Sequence, residues 1–475
     1  MRILIQNTYP ETPHFETELE IALNHLKNGH EVYFLPYIHQ FKHCFYNPEN
    51  TFYRKLLARN VFDNGLKLLK SVAPKNASIS VLNYPEVHIP DNIFPGAADI
   101  DDLKKITYRG IDLGLATASS IISYKREHKL NIYKNETLIA NAYYTAVFVY
   151  ESTKLLMQRL KFDKVVLFNG RFVENRPLLR ICQENNINYS THERAGVLQH
   201  YLVRENDIPH SIETASKEID KIWETGSIDK RKVGMDFFIN RRARVQQGWH
   251  SYTTSQEPGI LPAGFDRSKR NIAIFNSSID ECEGIDGYSN PIYKDENVAI
   301  TQICDDLKDQ TDLRIYLRVH PNLKGLRNSQ IIELYNLKNK TSNLVIVEAG
   351  EKVDSYSLME AADVVLTFGS TTGIEAAFCG KPVVFAGKSF AENLRCFHKP
   401  SSHQELMKFI LNRELKPLDK EEAIKYGYWE LSYGTSFKYY QPASVTTGLF
   451  LETQVGPTGI FKFLKQTKNF IRNIR

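Results

Sequence analysis

The chain has 475 residues, 42% hydrophobic and 24% charged, with a formal net charge of +5 at pH 7. This length is too great for one ordinary core and predicts two α/β domains of roughly 200 residues each. No apolar run reaches the ~20 residues of a membrane span, and six scattered cysteines without a CxxC or CxxH pair exclude a disulfide framework and a clustered zinc site.

The first strand pattern, Arg2 to Gln6, follows Met1 without the apolar core and cleavage site of a secretory signal, so the cytoplasm is the expected location. Thr12-Pro13 reads as the cap and first turn of a helix whose inner face is Phe15, Leu19, Ala22, Leu23 and Leu26. Gly29 takes the C′ position, and Glu31 to Leu35 is the next strand. This order predicts a βαβ unit with parallel strands. From Cys44 to about Pro90 the sequence is aromatic and irregular and yields no assignment. Helices follow at Gly110 to Ser123 and Leu138 to Leu160, then a strand at Val165 to Phe168, a helix to Glu184 and a strand at Asn188 to Thr191.

Residues 212–247 are charged and helical, and the turn-rich run Glu257 to Gly264 marks a domain boundary. Beyond it, strands at Asn271 to Phe275, Leu313 to Val319, Leu344 to Val347, Val364 to Thr367 and Val383 to Phe385 alternate with helices. Residues 1–255 and 265–455 are therefore expected to form two doubly wound, Rossmann-type α/β domains facing a central cleft. The tail, 456–475, carries Lys462, Lys465, Lys468, Arg472 and Arg475 and no acid, which accounts for the whole net charge. Its apolar residues Ile460, Phe463, Leu464, Phe470, Ile471 and Ile474 recur at helical spacing. Such a helix suits either an anionic membrane surface or the protein's own surface. The rest of the chain has no basic track for a nucleic acid, and none is expected as a partner.

Ligands of open parallel sheets sit beyond the carboxyl ends of the strands. After Val364 to Thr367 come Gly369, Ser370, Thr371, Thr372 and Gly373, then a helix with Glu375 in its first turn. Two glycines, three hydroxyls and free N–H groups make a phosphate cradle, and Glu375 is placed to receive ribose hydroxyls. After Leu313 to Val319 comes His320-Pro321, preceded by Arg318; the proline holds the imidazole at the sheet edge, where it can donate to a phosphate. Ser277 and Ser278 follow the first strand of this half as further phosphate donors. Asp280 and Glu281 are candidates to face an acceptor hydroxyl or act as a nucleophile. In the first half, Asn169 and Arg171 after one strand and His192, Glu193 and Arg194 at the end of the next suit a polyhydroxy or anionic acceptor, with Glu193 or His192 as base. Each of these runs also has an ordinary structural explanation: a capped helix, a solvated loop or an ion-pair cluster.

Arg318-Val-His-Pro321, Asp354-Ser-Tyr-Ser-Leu-Met-Glu-Ala-Ala-Asp363, the Gly-Ser-Thr-Thr-Gly run and Gly380-Lys-Pro-Val-Val together resemble the nucleotide-binding domain of GT-B glycosyltransferases. More narrowly they resemble the bacterial capsule and surface-polysaccharide biosynthesis proteins, relatives of Kdo transferases, sialyltransferases and polyol-phosphate transferases. The first helix with His30-Glu-Val-Tyr-Phe-Leu35, and the Phe-Asn-Gly-Arg and His-Glu-Arg loops, are similar to the acceptor domain of that group. The resemblance implies a nucleotide-sugar donor held by His320 and Ser370 to Thr372, a glycan or lipid-linked glycan acceptor, and neither cofactor nor obligatory metal. Asp99-Ile-Asp101 and Asp305-Asp306 lack the strand-end setting of a metal-binding DxD motif. It does not identify the catalytic base. Two alternatives stay open: a sugar-nucleotide 2-epimerase of the same fold, and a non-catalytic scaffold of polysaccharide assembly.

Overall fold

The computed structural model describes residues 1–248, 253–339, 341–459 and 461; the basic part of the tail, 462–475, lies outside the described residues. The chain folds into two compact units. The first comprises Met1–Lys125, Leu130–Pro209 and the chain from Gly434 on; the second comprises Arg126–Lys129 and His210–Tyr433.

The first unit contains β1 (Arg2–Asn7), α1 (His14–Lys27), β2 (Glu31–Pro36), α2 (Phe52–Val72), β3 (Ile79–Val81), α3 (Ile100–Lys105), α4 (Leu113–Lys125), α5 (Glu136–Arg159), β4 (Lys164–Phe168), α6 (Arg176–Glu184), β5 (Asn188–Arg194) and β6 (His200–Glu205). β1 is a buried apolar run, as a parallel strand covered on both faces must be. Phe15, Leu19, Ala22, Leu23 and Leu26 are the buried stripe of α1, but Glu16, Glu18 and Glu20 are buried too, so this helix carries polar contacts into the interior. Thr12 does not cap α1; its hydroxyl donates to Glu16 at 2.7 Å, and Pro13 stands at the cap. The unassigned stretch after Cys44 contains α2. Gly65, a poor helix former in the middle of α2, is there because Phe15 lies where its Cβ would project.

The second unit contains α7 (Ile212–Thr225), α8 (Lys230–Arg242), β7 (Arg270–Phe275), α9 (Ile279–Cys282), α10 (Glu296–Leu307), β8 (Leu313–Arg318), α11 (Ser329–Asn336), β9 (Leu344–Val347), α12 (Ser355–Ala361), β10 (Val364–Thr367), α13 (Thr372–Phe378), β11 (Val383–Phe385), α14 (His403–Leu411) and α15 (Lys420–Ser432). The chain then supplies β12 (Thr435–Ser436), β13 (Tyr440–Ser444) and β14 (Thr447–Phe450) to the first unit. The carboxylate of Glu20 anchors this return, accepting the N–H groups of Lys438, Tyr439 and Tyr440 at 2.7, 2.9 and 3.2 Å.

The division therefore differs from the boundary expected at 257–264. Helices α7 and α8 belong with the second unit because α8 and α15 cross at glycines. A Cβ on Gly234 would run into the Ile424 carbonyl, and one on Gly427 into the Gly234 carbonyl. That close crossing joins residues nearly 200 positions apart, which no local pattern reveals.

Each unit has its own sheet. The first has strand order β12-β6-β5-β4-β1-β2-β3, parallel from β5 to β3, with β6 and β12 antiparallel additions. The second is β11-β10-β7-β8-β9, all parallel. Both are doubly wound α/β sheets, the class expected. The order reverses beside β1 and β4 in the first and beside β7 and β10 in the second, and the loops after those strands are the places for ligands.

Candidate functional site

One pocket of the second unit lies at its reversal point. Arg318, His320, Ser370, Thr371, Thr372 and Glu375, all singled out from sequence, line it; so do Phe275 at the end of β7 and Asn276 after it, Arg241 at the end of α8, Gln256, and Ser355 and Tyr356 at the start of α12.

His320 is fixed from two sides. Its backbone N–H donates to Oδ1 of Asn276 at 2.8 Å, and its Nδ1 accepts the N–H of Asn322 at 3.2 Å. An imidazole whose Nδ1 accepts carries its proton on Nε2. Burial lowers the histidine to a pKa of about 4, so the ring is a neutral donor at physiological pH. Arg318 is buried, donating from Nη1 to the Glu348 carbonyl at 2.6 Å and from Nη2 to the Glu351 carbonyl at 3.3 Å. Its Nε has no hydrogen-bond partner, and burial pulls the guanidinium down to about 10.

In the cradle, Ser370 Oγ donates to Thr372 Oγ1 at 3.1 Å and accepts the Thr372 N–H at 3.3 Å. The two glycines do different work from that expected. Gly369 has φ +120°, with the Lys388 carbonyl 2.5 Å from where a Cβ would stand. Gly373 brings α13 against β10, where a Cβ would meet Thr367 Cγ2 at 2.5 Å. Neither lines the pocket; Gly373 serves helix-to-strand packing. Glu375 is paired, accepting from Nε of Arg241 at 2.6 Å, and burial together with this carboxylate raises the Tyr356 hydroxyl.

The loop after β7 departs from expectation. Ser277 donates its hydroxyl to Oε2 of Glu296 at 2.6 Å and its N–H to the same carboxylate. Ser278 donates to Oδ1 of Asp280 at 2.6 Å and accepts from Arg126 at 3.1 Å. These hydroxyls face carboxylates of their own unit, and neither serine lines the pocket. Asp280 is buried as the ion-pair partner of Arg126, and Glu281 is exposed and accepts from the side chain of Asn322. The cause is Glu296 on α10: buried, it also accepts from Gln330 at 2.7 Å and draws the loop inward. Nothing in the local sequence marks this partner, nor Arg241 and Gln256; Tyr356 lies in the 354–363 run that carries the family resemblance, but the resemblance assigns it no role.

In the first unit, Asn169, Arg171, His192, Glu193 and Arg194 lie at the ends of β4 and β5. His192 is fully buried, with Nε2 3.3 Å from Oε1 of Glu18, itself held by Asn7 at 2.5 Å; it is an interior group and not an accessible base. Glu193 accepts from Asn169 at 2.9 Å and from the Arg194 N–H at 3.0 Å. It also faces Nε2 of His14 at 3.5 Å. Burial keeps His14 well below its ordinary pKa, hence neutral. His14 was not recognisable from sequence, because a histidine in the first turn of a helix reads as surface. Asn169 has φ 59° and Gly170 φ 88°, so the turn after β4 is left-handed at both positions. Arg171 lies over the Phe172 ring, 4.7 Å from its centre. Among the described residues, no cluster of three or more His, Cys, Asp or Glu side chains is placed to hold a metal ion.

Residues 297–392 match the family model described as capsule polysaccharide biosynthesis protein. Solved structures to which the chain is similar include the Thermosulfurimonas dismutans KpsC β-Kdo 2,4-transferase, at 13% identity over 56% of this chain and 79% of that one, with a TM-score of 0.36. The β-Kdo 2,7-transferase of the same KpsC aligns at 14% identity over 67% and 89%, with a TM-score of 0.35. The UDP-GlcNAc 2-epimerase from Neisseria meningitidis aligns at 11% identity over 90% and 97%, with a TM-score of 0.28. No curated protein matches the chain significantly. The family match covers both Arg318-Val-His-Pro321 and the Gly369 to Gly373 cradle, and over that stretch the chain is similar to capsule polysaccharide biosynthesis proteins.

Proposed function

We propose that the protein is a glycosyltransferase that moves a sugar from a nucleotide-activated donor to a glycan, lipid-linked or free, in the synthesis of a surface polysaccharide. The observation that carries this reading is the convergence of Arg318, His320 and the hydroxyls of Ser370, Thr371 and Thr372 on one pocket at the reversal point of the second sheet. In this reading the bond from the sugar's anomeric carbon to the phosphate oxygen breaks. Charge then grows on the departing phosphate, where the Nε2–H of His320 and the Arg318 guanidinium stabilise it in a water-poor site. Glu375, oriented by Arg241, receives the ribose hydroxyls.

The acceptor is assigned to the first unit. There Glu193, held by the Asn169 amide and facing the His14 ring, takes the proton of the attacking hydroxyl. Among the described residues no helix is long and apolar enough to cross a membrane. A peripheral role for the tail is supported by its basic, one-faced sequence, and liposome sedimentation with and without residues 462–475 tests it.

A thermal-shift screen against UDP-, CMP- and GDP-sugars tests the donor site, since a ligand that binds only the folded state raises the melting temperature. At least one class is expected to do so, and Arg318→Ala should abolish the shift. If no nucleotide sugar stabilises the protein, the reading falls. Interconversion of nucleotide sugars without an acceptor would establish the epimerase instead.

A further inference from the structure

Gln256 belongs to the turn-rich approach to β7, where the sequence reads as a linker. In the structure it is 2% exposed and lines the pocket that holds Arg318 and His320. Its Oε1 accepts the N–H of Ser355, the first residue of α12, at 2.8 Å. This contact decides which way the amide faces, because the reverse orientation would set an NH2 group against an N–H. The Nε2 group is thus the outstanding end of the side chain, and it is buried without a hydrogen-bond partner. A buried amide donor left unpaired is costly in a folded protein, and a binding pocket is where that cost has a use.

In the donor-site reading the phosphates are served by the Arg318 cation, the His320 imidazole and three hydroxyls. Gln256, bonded to the first residue of α12, lines the same pocket with Tyr356. A neutral amide whose oxygen is already engaged can only give a hydrogen bond, and it suits a neutral acceptor on the edge of a base. Resting on the donor-site reading above, we propose that Gln256 recognises a carbonyl oxygen of the donor's nucleobase and so sets which nucleotides the pocket accepts. Uracil, cytosine and guanine present such an oxygen; adenine presents none.

Calorimetry with UDP, CDP, GDP, ADP and inorganic pyrophosphate tests this on the full chain and on two variants. Gln256→Glu keeps the oxygen that caps Ser355 and removes the donor; Gln256→Met keeps the volume and removes both. The loss common to the two variants belongs to the donor. The wild-type protein should prefer at least one carbonyl-bearing nucleotide to ADP by ~10-fold or more, and both variants should lose that preference while binding pyrophosphate unchanged. Variants that keep the preference, or that lose pyrophosphate to the same degree, overturn the proposal. So does a wild-type protein that prefers ADP, a result that needs no variant. A protein that binds neither nucleotide nor pyrophosphate would instead overturn the donor site itself.

Discussion

Nε of Arg241, at the end of α8, donates to Oε1 of Glu375, in the first turn of α13, at 2.6 Å. The two residues are 134 positions apart, and their pairing fastens the helices that precede β7 to the cradle that follows β10. Glu375 is nearly buried, while Arg241 keeps about a third of its side chain exposed. Removing the arginine leaves a carboxylate in a site that offers it little water. Arg241→Met should therefore destabilise the protein by about 2 kcal/mol, and Glu375→Gln in the same background should recover part of it. Urea denaturation of the two single variants and the double variant checks this.

His320 carries the catalytic expectation in the second unit. His320→Ala should lower transfer by ~10²-fold while the protein stays folded. Because burial holds the imidazole at about 4, nucleotide affinity should show no inflection from this residue near pH 6.5. A pH titration of affinity, wild type against His320→Ala, reads this out; an inflection near 6.5 present only in the wild type would contradict the neutral-donor role.

Glu296 makes stability depend on pH in a defined sense. Burial raises its carboxyl from 4.5 to about 7. Between those values the folded chain binds more protons than the unfolded chain, so the group's contribution is fully present below pH 4.5 and is lost as pH rises through 7. Relative to Glu296→Gln, the wild-type protein should lose on the order of 3 kcal/mol of stability from pH 4.5 to 8. Denaturation midpoints of both proteins across that range give the comparison. His320 contributes with the opposite sign, its stability present above 6.5 and lost as pH falls to about 4.

Gly373→Ala should lower stability by ~1 to 3 kcal/mol, because its Cβ would press on Thr367 Cγ2 where α13 meets β10. Nucleotide affinity measured on the surviving folded fraction should fall only modestly. A large loss of affinity at unchanged melting temperature would return Gly373 to the ligand.

His14→Ala and Glu193→Gln should each lower transfer by ~10²-fold or more while leaving nucleotide binding to the second unit unchanged. Single-turnover assays paired with calorimetry separate the two effects. Equal loss of binding and turnover would mean that these residues support the fold and not the proton transfer.

The strands, their parallel order and the loops that end them were legible in sequence because each is a local pattern: a buried apolar run, then glycine, hydroxyl or proline punctuation. This located Arg318, His320 and Ser370 to Thr372 correctly at strand ends. It could not say which neighbour a side chain would find once folded. Ser277 and Ser278 look like phosphate donors in one dimension, yet Glu296 and Asp280 take their hydroxyls. His192 looks like a base, yet Glu18 on α1 holds it inside. Arg241 and Gln256 enter the pocket from segments that read as a charged helix and a linker. A side chain's choice of hydrogen-bond partner, whether 2 positions away for Ser278 or 174 for His192, leaves no periodicity behind. The amino-acid sequence alone determined two doubly wound sheets and the strand ends at which a pocket forms. Only tertiary packing, by deciding which buried polar groups satisfy one another and which stay unpaired, selected the side chains that line it.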